Sequence, residues 1–401
     1  MTKPLRIGLI MQGGKNWIGG TQYIKNIILA LSSLPPDVRK TFELCLLYSG
    51  GDIDSDTYQQ VKPCLNASYD LDVELPSLTF TNRLIWKVRK ILLGKINSRI
   101  SDFCKKKKIN FVYPLLTSRV EQTADFWSCP WIPDFQHKYL PQLFSQDDIR
   151  GRDVTFKQIA NTSPRVVLSS NSAAKDFNKF FPNAQAKIEV LQFRTSIQED
   201  LLDDDPVTVQ QKYNLPNRFF LVSNQFWQHK NHKIILEALK ILKAKTDKSI
   251  NPVVVYTGSI QDYRNPDYIN SILTIIHEYD LAAQTYLLGL IPRHHQIQLM
   301  RRSIAVIQPS LFEGWSTVIE DARCLGKKMI LSDFEVHLEQ NPPNGYFFAR
   351  NSPNQLAELI DEQWRSSCPS PDFAQEAMAK IRNKQEIQEF GYRFLEIAMK
   401  K

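Results

Sequence analysis

The segment SLFEGWSTVIEDARCLG, residues 310–326, sets three carboxylates, Glu313, Glu320 and Asp321, around the start of a helix. That helix is expected to begin after Thr317, to bury Val318, Ala322 and Leu325, and to stop near Gly326. Thr317-x-x-Glu320 has the form of a capping box, in which the threonine oxygen and the glutamate satisfy backbone N–H groups at the helix start. This gives Glu320 a structural job. Glu313, in the glycine turn ahead of the helix, and Asp321, whose carboxylate faces whatever occupies the N-terminal end, are then the functional candidates. The N–H groups of Gly314, Trp315 and Ser316 between them make an anion-binding surface.

Three other stretches hold residues able to do chemistry. In QGGKNWIGGTQYIKNIILAL, Gly13, Gly14, Gly19 and Gly20 precede a helix with Tyr23, Ile27, Ile28 and Leu31 on one face. Glycines at that place let backbone N–H groups approach a phosphate or sugar, although the spacing is neither Gly-x-Gly-x-x-Gly nor a Walker pattern. IPDFQHKYLPQLF carries His137, which either packs or donates a hydrogen bond to a sugar hydroxyl or a developing charge. NQFWQHKNHKIILEALKIL carries Lys230 ahead of a helix with Ile235, Leu239 and Leu242 in one stripe. Its ammonium and the first N–H groups of that helix can jointly hold a diphosphate, or the lysine is a solvated turn residue. His229 and His232 have no third ligand at metal spacing, so no zinc site is expected.

The elements that must position these residues are short apolar runs alternating with helical patterns. LRIGLIM, FELCLLY, INFVYP, PWIPDF and RVVLSS come first; RFFLVS, PVVVYTG, TYLLGL, IAVIQPS and KKMILSD follow a polar passage. Such alternation implies parallel sheets with right-handed crossovers, covered on both faces. The chain is thus α/β, with two Rossmann-like domains expected at 1–200 and 201–370, and helices at 371–401 crossing back to the first. The break falls in the acidic, proline-containing stretch from Thr195 to Asn217. The motifs all fall just after strands, where open α/β sheets bind ligands.

Composition bounds the function classes. In 401 residues, six scattered cysteines form no Cys-x-x-Cys pair, so neither a disulfide framework nor a zinc ribbon is indicated and a cytoplasmic setting fits. The start of the chain reads as a first strand rather than a signal peptide, and no run of apolar residues is long enough to span a membrane. The net charge of +8 is concentrated from Arg83 to Lys108, where Asp102 is the only acid. This segment is either a solvated helical face or a peripheral contact with an anionic membrane. No nucleic-acid recognition motif accompanies the charge, and no nucleic-acid partner is expected.

PSLFEGWSTVIEDARCLGKKMILSD resembles the Glu-x7-Glu segment of retaining GT-B glycosyltransferases of the GT4 group, glycosyl transferases group 1, with Glu313 first and Asp321 second. SNQFWQHKNH and QGGKNWIGG occupy the other expected places, and LGLIPRHHQIQLMRRSIAVIQPS resembles the lead into the motif. The resemblance covers almost the whole chain and is more specific in its C-terminal half. It implies a GT-B fold, two Rossmann-like domains facing each other across a cleft. The implied activity is metal-independent transfer of a hexosyl group from a nucleotide-diphosphate sugar to a saccharide or lipid-linked acceptor, with retention, in bacterial polysaccharide biosynthesis. The nucleotide sugar is a substrate and no cofactor is implied.

On that resemblance Glu313 holds donor-sugar hydroxyls and Asp321, or Glu320 in its stead, binds the ribose. The backbone of Gly314, Trp315, Ser316 and Thr317 holds the diphosphate, Lys230 neutralises it, His137 contacts the sugar near the reaction centre, and Gly19 and Gly20 border phosphates and acceptor. Asn224 and Gln225 stand where the family commonly has an arginine. Arg293, Arg194 or a nearby histidine are the replacements to look for. A GT-B epimerase or phosphorylase, or a non-catalytic nucleotide-sugar binding protein, are the alternatives.

Overall fold

Apolar runs bounded by turn residues become strands in both halves of the chain. The computed structural model describes residues 3–14, 17–75, 98–115, 123, 125–245, 251–262, 264–367 and 371–400. Two units result, one of Met1–Phe135, Asp147–Arg194 and Gln385–Lys401, the other of Gln136–Gln146 and Thr195–Lys384.

In the first unit β1 (Leu5–Ile10), β2 (Phe42–Tyr48), β3 (Ala67–Asp70), β4 (Phe111–Tyr113) and β5 (Trp127–Ser128) form a parallel sheet in the order β3-β2-β1-β4-β5. A second parallel sheet joins β6 (Trp131–Ile132), β7 (Arg165–Leu168) and β8 (Lys187–Val190). Helix α1 (Ile18–Ser32) follows β1 and buries Tyr23, Ile27, Ile28 and Leu31, the stripe expected from their spacing.

The second unit is a six-stranded parallel sheet. It contains β9 (Phe220–Ser223), β10 (Val254–Thr257), β11 (Thr285–Leu287), β12 (Val306–Gln308), β13 (Met329–Ser332) and β14 (Gly345–Phe348), ordered β11-β10-β9-β12-β13-β14. Strand residues alternate between its two faces. Phe220, Val222, Val254 and Tyr256 pack with Ile235 and Leu239 of α2 (His232–Lys243), whereas Phe219, Leu221, Val253 and Val255 pack with Ile297 and Met300 of α3 (Arg293–Arg302) and with Ile319 and Ala322 of α4 (Thr317–Cys324). Both faces are covered, which is why these strands are apolar throughout, and each fully buried Phe, Leu, Ile or Val contributes about 1.5–3 kcal/mol.

The order reverses between β9 and β12, so the crevice at their carboxyl ends is the topological switch point of this unit. Chain leaving β9 leads to Lys230, and chain leaving β12 leads to Glu313. After β13 come α5 (Glu335–Gln340), β14 and α6 (Pro353–Ser366).

The long terminal helix α7 (Phe373–Met399) serves both units. Glu376 takes a bidentate pair from Arg301 at 2.9 and 3.0 Å in the second unit. In the first, the carbonyls of Ala398 and Ile397 accept from Trp127 Nε1 at 2.9 Å and Arg165 Nη1 at 2.8 Å.

Residues 83–97 of the basic segment lie outside the described residues. Its continuation Ser98–Lys106 is a helix, after which Lys107 pairs with Glu74 at 2.7 Å and lies 4.6 Å over the ring of Tyr69. Among the described residues no helix is long and apolar enough to cross a membrane.

Candidate functional site

Glu313 is the hub of the crevice. Its Oε1 accepts from Lys230 Nζ at 2.6 Å, Gln308 Nε2 at 2.9 Å and Ser310 Oγ at 2.7 Å. The chain reaches Lys230 through a short turn, Gln228–Lys230, closed by Asn231 in the left-handed region at φ 56, while Leu311 N–H donates to the His229 carbonyl at 2.8 Å and ties the two loops together. Asn224, at the end of β9, donates to Gln308 Oε1 at 2.9 Å and so orients the amide that reaches Glu313. Asn224 therefore supports the carboxylate.

Burial alone raises the Glu313 pKa, but Lys230, His337 and the hydrogen bonds from Lys230 and Ser310 outweigh it and hold the carboxyl below its ordinary value. All three donors end on Oε1. Oε2 accepts from none of the described residues and is the oxygen available to a ligand hydroxyl.

The start of α4 departs from expectation. Ser316, not Thr317, is the N-cap and makes no side-chain cap hydrogen bond. Gln340 of α5 acts instead: its Oε1 accepts from Ser316 N–H at 3.0 Å, and its Nε2 donates to the Ser316 carbonyl at 3.1 Å and to Glu320 Oε1 at 2.8 Å. The capping box is thus replaced by a side chain from another element. An amide held by another helix grips the backbone of the N-cap residue together with the Glu320 carboxylate. The Ser316 N–H is accordingly already committed. Glu320 is fully buried and also lies 3.5 Å from Arg323 Nε.

Asp321 is 1% exposed, with Arg293 Nη2 2.7 Å from its Oδ1. Burial lowers the Arg293 pKa, but Asp321 more than compensates and the net shift is upward. Of the candidate arginines, Arg293 thus meets Asp321, while Arg194 pairs with Glu386 at 3.2 Å in the first unit. A third guanidinium has no signature in the sequence. Arg264, from the loop after β10, meets the ring of His229 at 3.2 Å and Gln136 Oε1 at 3.2 Å, and lies over Trp227 at 4.8 Å. Burial, followed by Lys230 and Arg264, pushes the His229 pKa well down, so that ring is neutral. Residues 136–146 belong to this second unit, and His137 lies there, 1% exposed, edge-on to Phe144 at 6.3 Å.

Gly19 and Gly20 are in the first turn of α1, in the other unit. A Cβ on Gly20 would lie 2.7 Å from Trp17 Cε3, and the Gly20 N–H is given to the Trp17 carbonyl at 3.0 Å. The missing side chain lets the Trp17 indole lie down on the helix and stack on Trp131, centroids 5.6 Å apart, which stacks in turn on Tyr23 at 4.0 Å.

Gly258, after β10, packs against the backbone of Asn224 and Gln225 that leaves β9. Its φ is +128, and a Cβ there would lie 2.2 Å from the Asn224 carbonyl oxygen. Gly258→Ala is expected to cost about 3 kcal/mol, lowering the Tm of the protein by ~6–12 °C. A thermal melt within 1–2 °C of wild type, on the scale of about 2–4 °C per kcal/mol, would mean that the Asn224 turn yields freely.

Among the described residues one group has metal-ligand character, Asp204, His294 and His295, with ligand atoms within 4.8 Å of one another. Both His295 nitrogens already face partners, Tyr213 Oη at 2.7 Å and Lys212 Nζ at 3.4 Å.

Comparison with known proteins now adds to this geometry. Residues 207–382 match the family model of glycosyl transferases group 1. No curated protein sequence matches the chain. The chain is similar in structure to Anabaena HepE in complex with UDP and glucose, at TM-score 0.63 and 15% identity over 98% of this chain and 99% of that one. A glycosyltransferase from Rickettsia africae matches at TM-score 0.58 and 15% identity, over 98% and 94% of the two chains. Sucrose-phosphate synthase from Thermosynechococcus elongatus matches at 0.60 and 14%, over 98% and 97%. At these identities the likeness concerns the fold, and the chain has the two-domain α/β architecture of the GT-B class.

Proposed function

We propose that this chain, whose residues 207–382 match the family model of glycosyl transferases group 1, transfers a sugar from a nucleotide-diphosphate donor to a saccharide or lipid-linked acceptor, with retention and without a metal ion. The observation that carries the reading is the Lys230–Glu313 pair at the switch point, 2.6 Å apart, with Glu313 Oε2 left for a ligand. In the proposed reaction the bond from the sugar C1 to the diphosphate oxygen breaks and its electron pair stays on the phosphate. The acceptor oxygen bonds to C1 from the same face, and its proton passes to the departing phosphate. Lys230 neutralises the charge that develops on that phosphate. Glu313 orients the sugar by accepting from its hydroxyls, and Asp321 binds the ribose while paired with Arg293. No side-chain nucleophile is needed.

HepE was solved with UDP and glucose, which makes a UDP-sugar the first donor to try here. Site of action is assigned to the cytoplasm, with the basic segment from Arg83 to Lys108 as the candidate contact with an anionic membrane. Thermal stabilisation by UDP-, GDP-, ADP- and dTDP-sugars in the presence of a chelator tests the donor site. One nucleotide family is expected to raise the Tm by several degrees at about 100 times its Kd. No shift with any donor would overturn the proposal.

A further inference from the structure

We infer that Nε2 of His337 accepts a hydrogen bond from a hydroxyl of the donor sugar, which makes His337 a further specificity-determining residue beside Glu313; this rests on the donor-site reading above. His337 is on α5 and is fully buried. Its Nδ1 lies 3.0 Å from Ser332 Oγ and 3.2 Å from the Ser332 carbonyl oxygen. The Ser332 hydroxyl proton is already spent on the Ser310 carbonyl, 2.7 Å away. Both neighbours of Nδ1 are therefore acceptors, and Nδ1 must carry the ring proton.

Burial, against the pull of Glu313, brings the pKa of the ring down to about 4, so at neutral pH it holds only that one proton. Nε2 is then a bare lone pair. It is buried and has no hydrogen-bond partner among the described residues, a destabilising condition that a ligand donor would relieve.

The chemistry of the surroundings narrows the ligand group. His337 feels both Glu313 and Lys230, and Ser332 binds the loop that carries Ser310, itself a donor to Glu313. A phosphate oxygen has only lone pairs to offer and would be repelled by Nε2. A metal ion there would face the Lys230 ammonium. A sugar hydroxyl has one proton to give and two lone pairs to accept with, so it satisfies Nε2 while its neighbour on the ring donates to Glu313 Oε2.

The test is calorimetric titration of the full chain with UDP-, GDP- and ADP-glucose, then with the 2-, 3-, 4- and 6-deoxyglucosyl analogues of the tightest. His337→Asn keeps a donor at the Nδ1 position and loses the acceptor; His337→Gln returns an amide oxygen near Nε2. His337→Asn is expected to bind the full donor about tenfold more weakly, while one deoxy analogue binds wild type and variant alike and His337→Gln recovers part of the loss. Equal affinity of wild type and His337→Asn for every donor overturns the inference and leaves the donor site standing. The same loss against every analogue also overturns it, by making His337 a structural support. Failure of the wild type to bind any of the three donors removes the inference together with the reading it rests on.

Discussion

Lys230→Ala is expected to lower glycosyl transfer by about 10²–10³-fold, because it removes the cation that meets the leaving diphosphate in the transition state. The effect reaches the ground state too. Lys230 and Glu313 are mostly buried, at 15% and 9% side-chain exposure, and deleting one partner strands the other. That costs about 3 kcal/mol or more of stability, so the variant should also melt earlier. Glu313→Gln removes the same charge pair from the other side and is expected to lose turnover on the same scale.

The pH dependence of stability separates the two roles of the pair. Glu313 is held below its ordinary value of 4.5 in the folded state. Its stabilising contribution is therefore complete above that value and is lost as pH falls through the lower, folded one. In Lys230→Ala burial dominates, the Glu313 pKa rises, and destabilisation by acid should begin at higher pH than in wild type. Melting curves between about pH 3 and 6 read this directly. An acid limb that does not move would mean that His337, Ser310 and Gln308 set the carboxylate without Lys230.

Asp321→Asn is the second large effect. If Asp321 holds the ribose, the amide keeps the shape and loses a charged acceptor, so donor affinity should fall by about 10–100-fold, the worth of a hydrogen bond to a charged group. The Arg293 guanidinium, deprived of its counter-charge, adds a loss of thermal stability. An earlier melt with unchanged donor affinity would reduce Asp321 to a partner for Arg293 and hand the ribose to another group.

Much of this architecture is legible in the chain itself, because strands buried on both faces must be apolar along their whole length. FLVS, VVYT and MILS declare themselves for that reason, and Lys230 and Glu313 follow β9 and β12. Both residues stand out by their position after a strand, and the structure brings the two together. The partners of the helix start were not. Thr317-x-x-Glu320 satisfies a local pattern, yet Gln340 reaches Ser316 from another helix, and no local pattern records such a long-range competitor. Arg264, His337 and the Arg293–Asp321 pair are hidden for the same reason, since side chains brought together by the sheet order share no sequence spacing. Asn224 reads as a missing cation in the sequence and becomes a support for Gln308 in the structure.

Release of nucleoside diphosphate, measured by chromatography in the presence of a chelator, tests the central claim most directly. Wild type and Glu313→Gln would each be incubated with the UDP-, GDP-, ADP- and dTDP-sugar panel and a mixed saccharide and lipid-linked acceptor pool. Accumulation of one diphosphate with wild type, and about a hundredfold less with Glu313→Gln, is the predicted result. No release from any donor, or equal release by the two proteins, would contradict it.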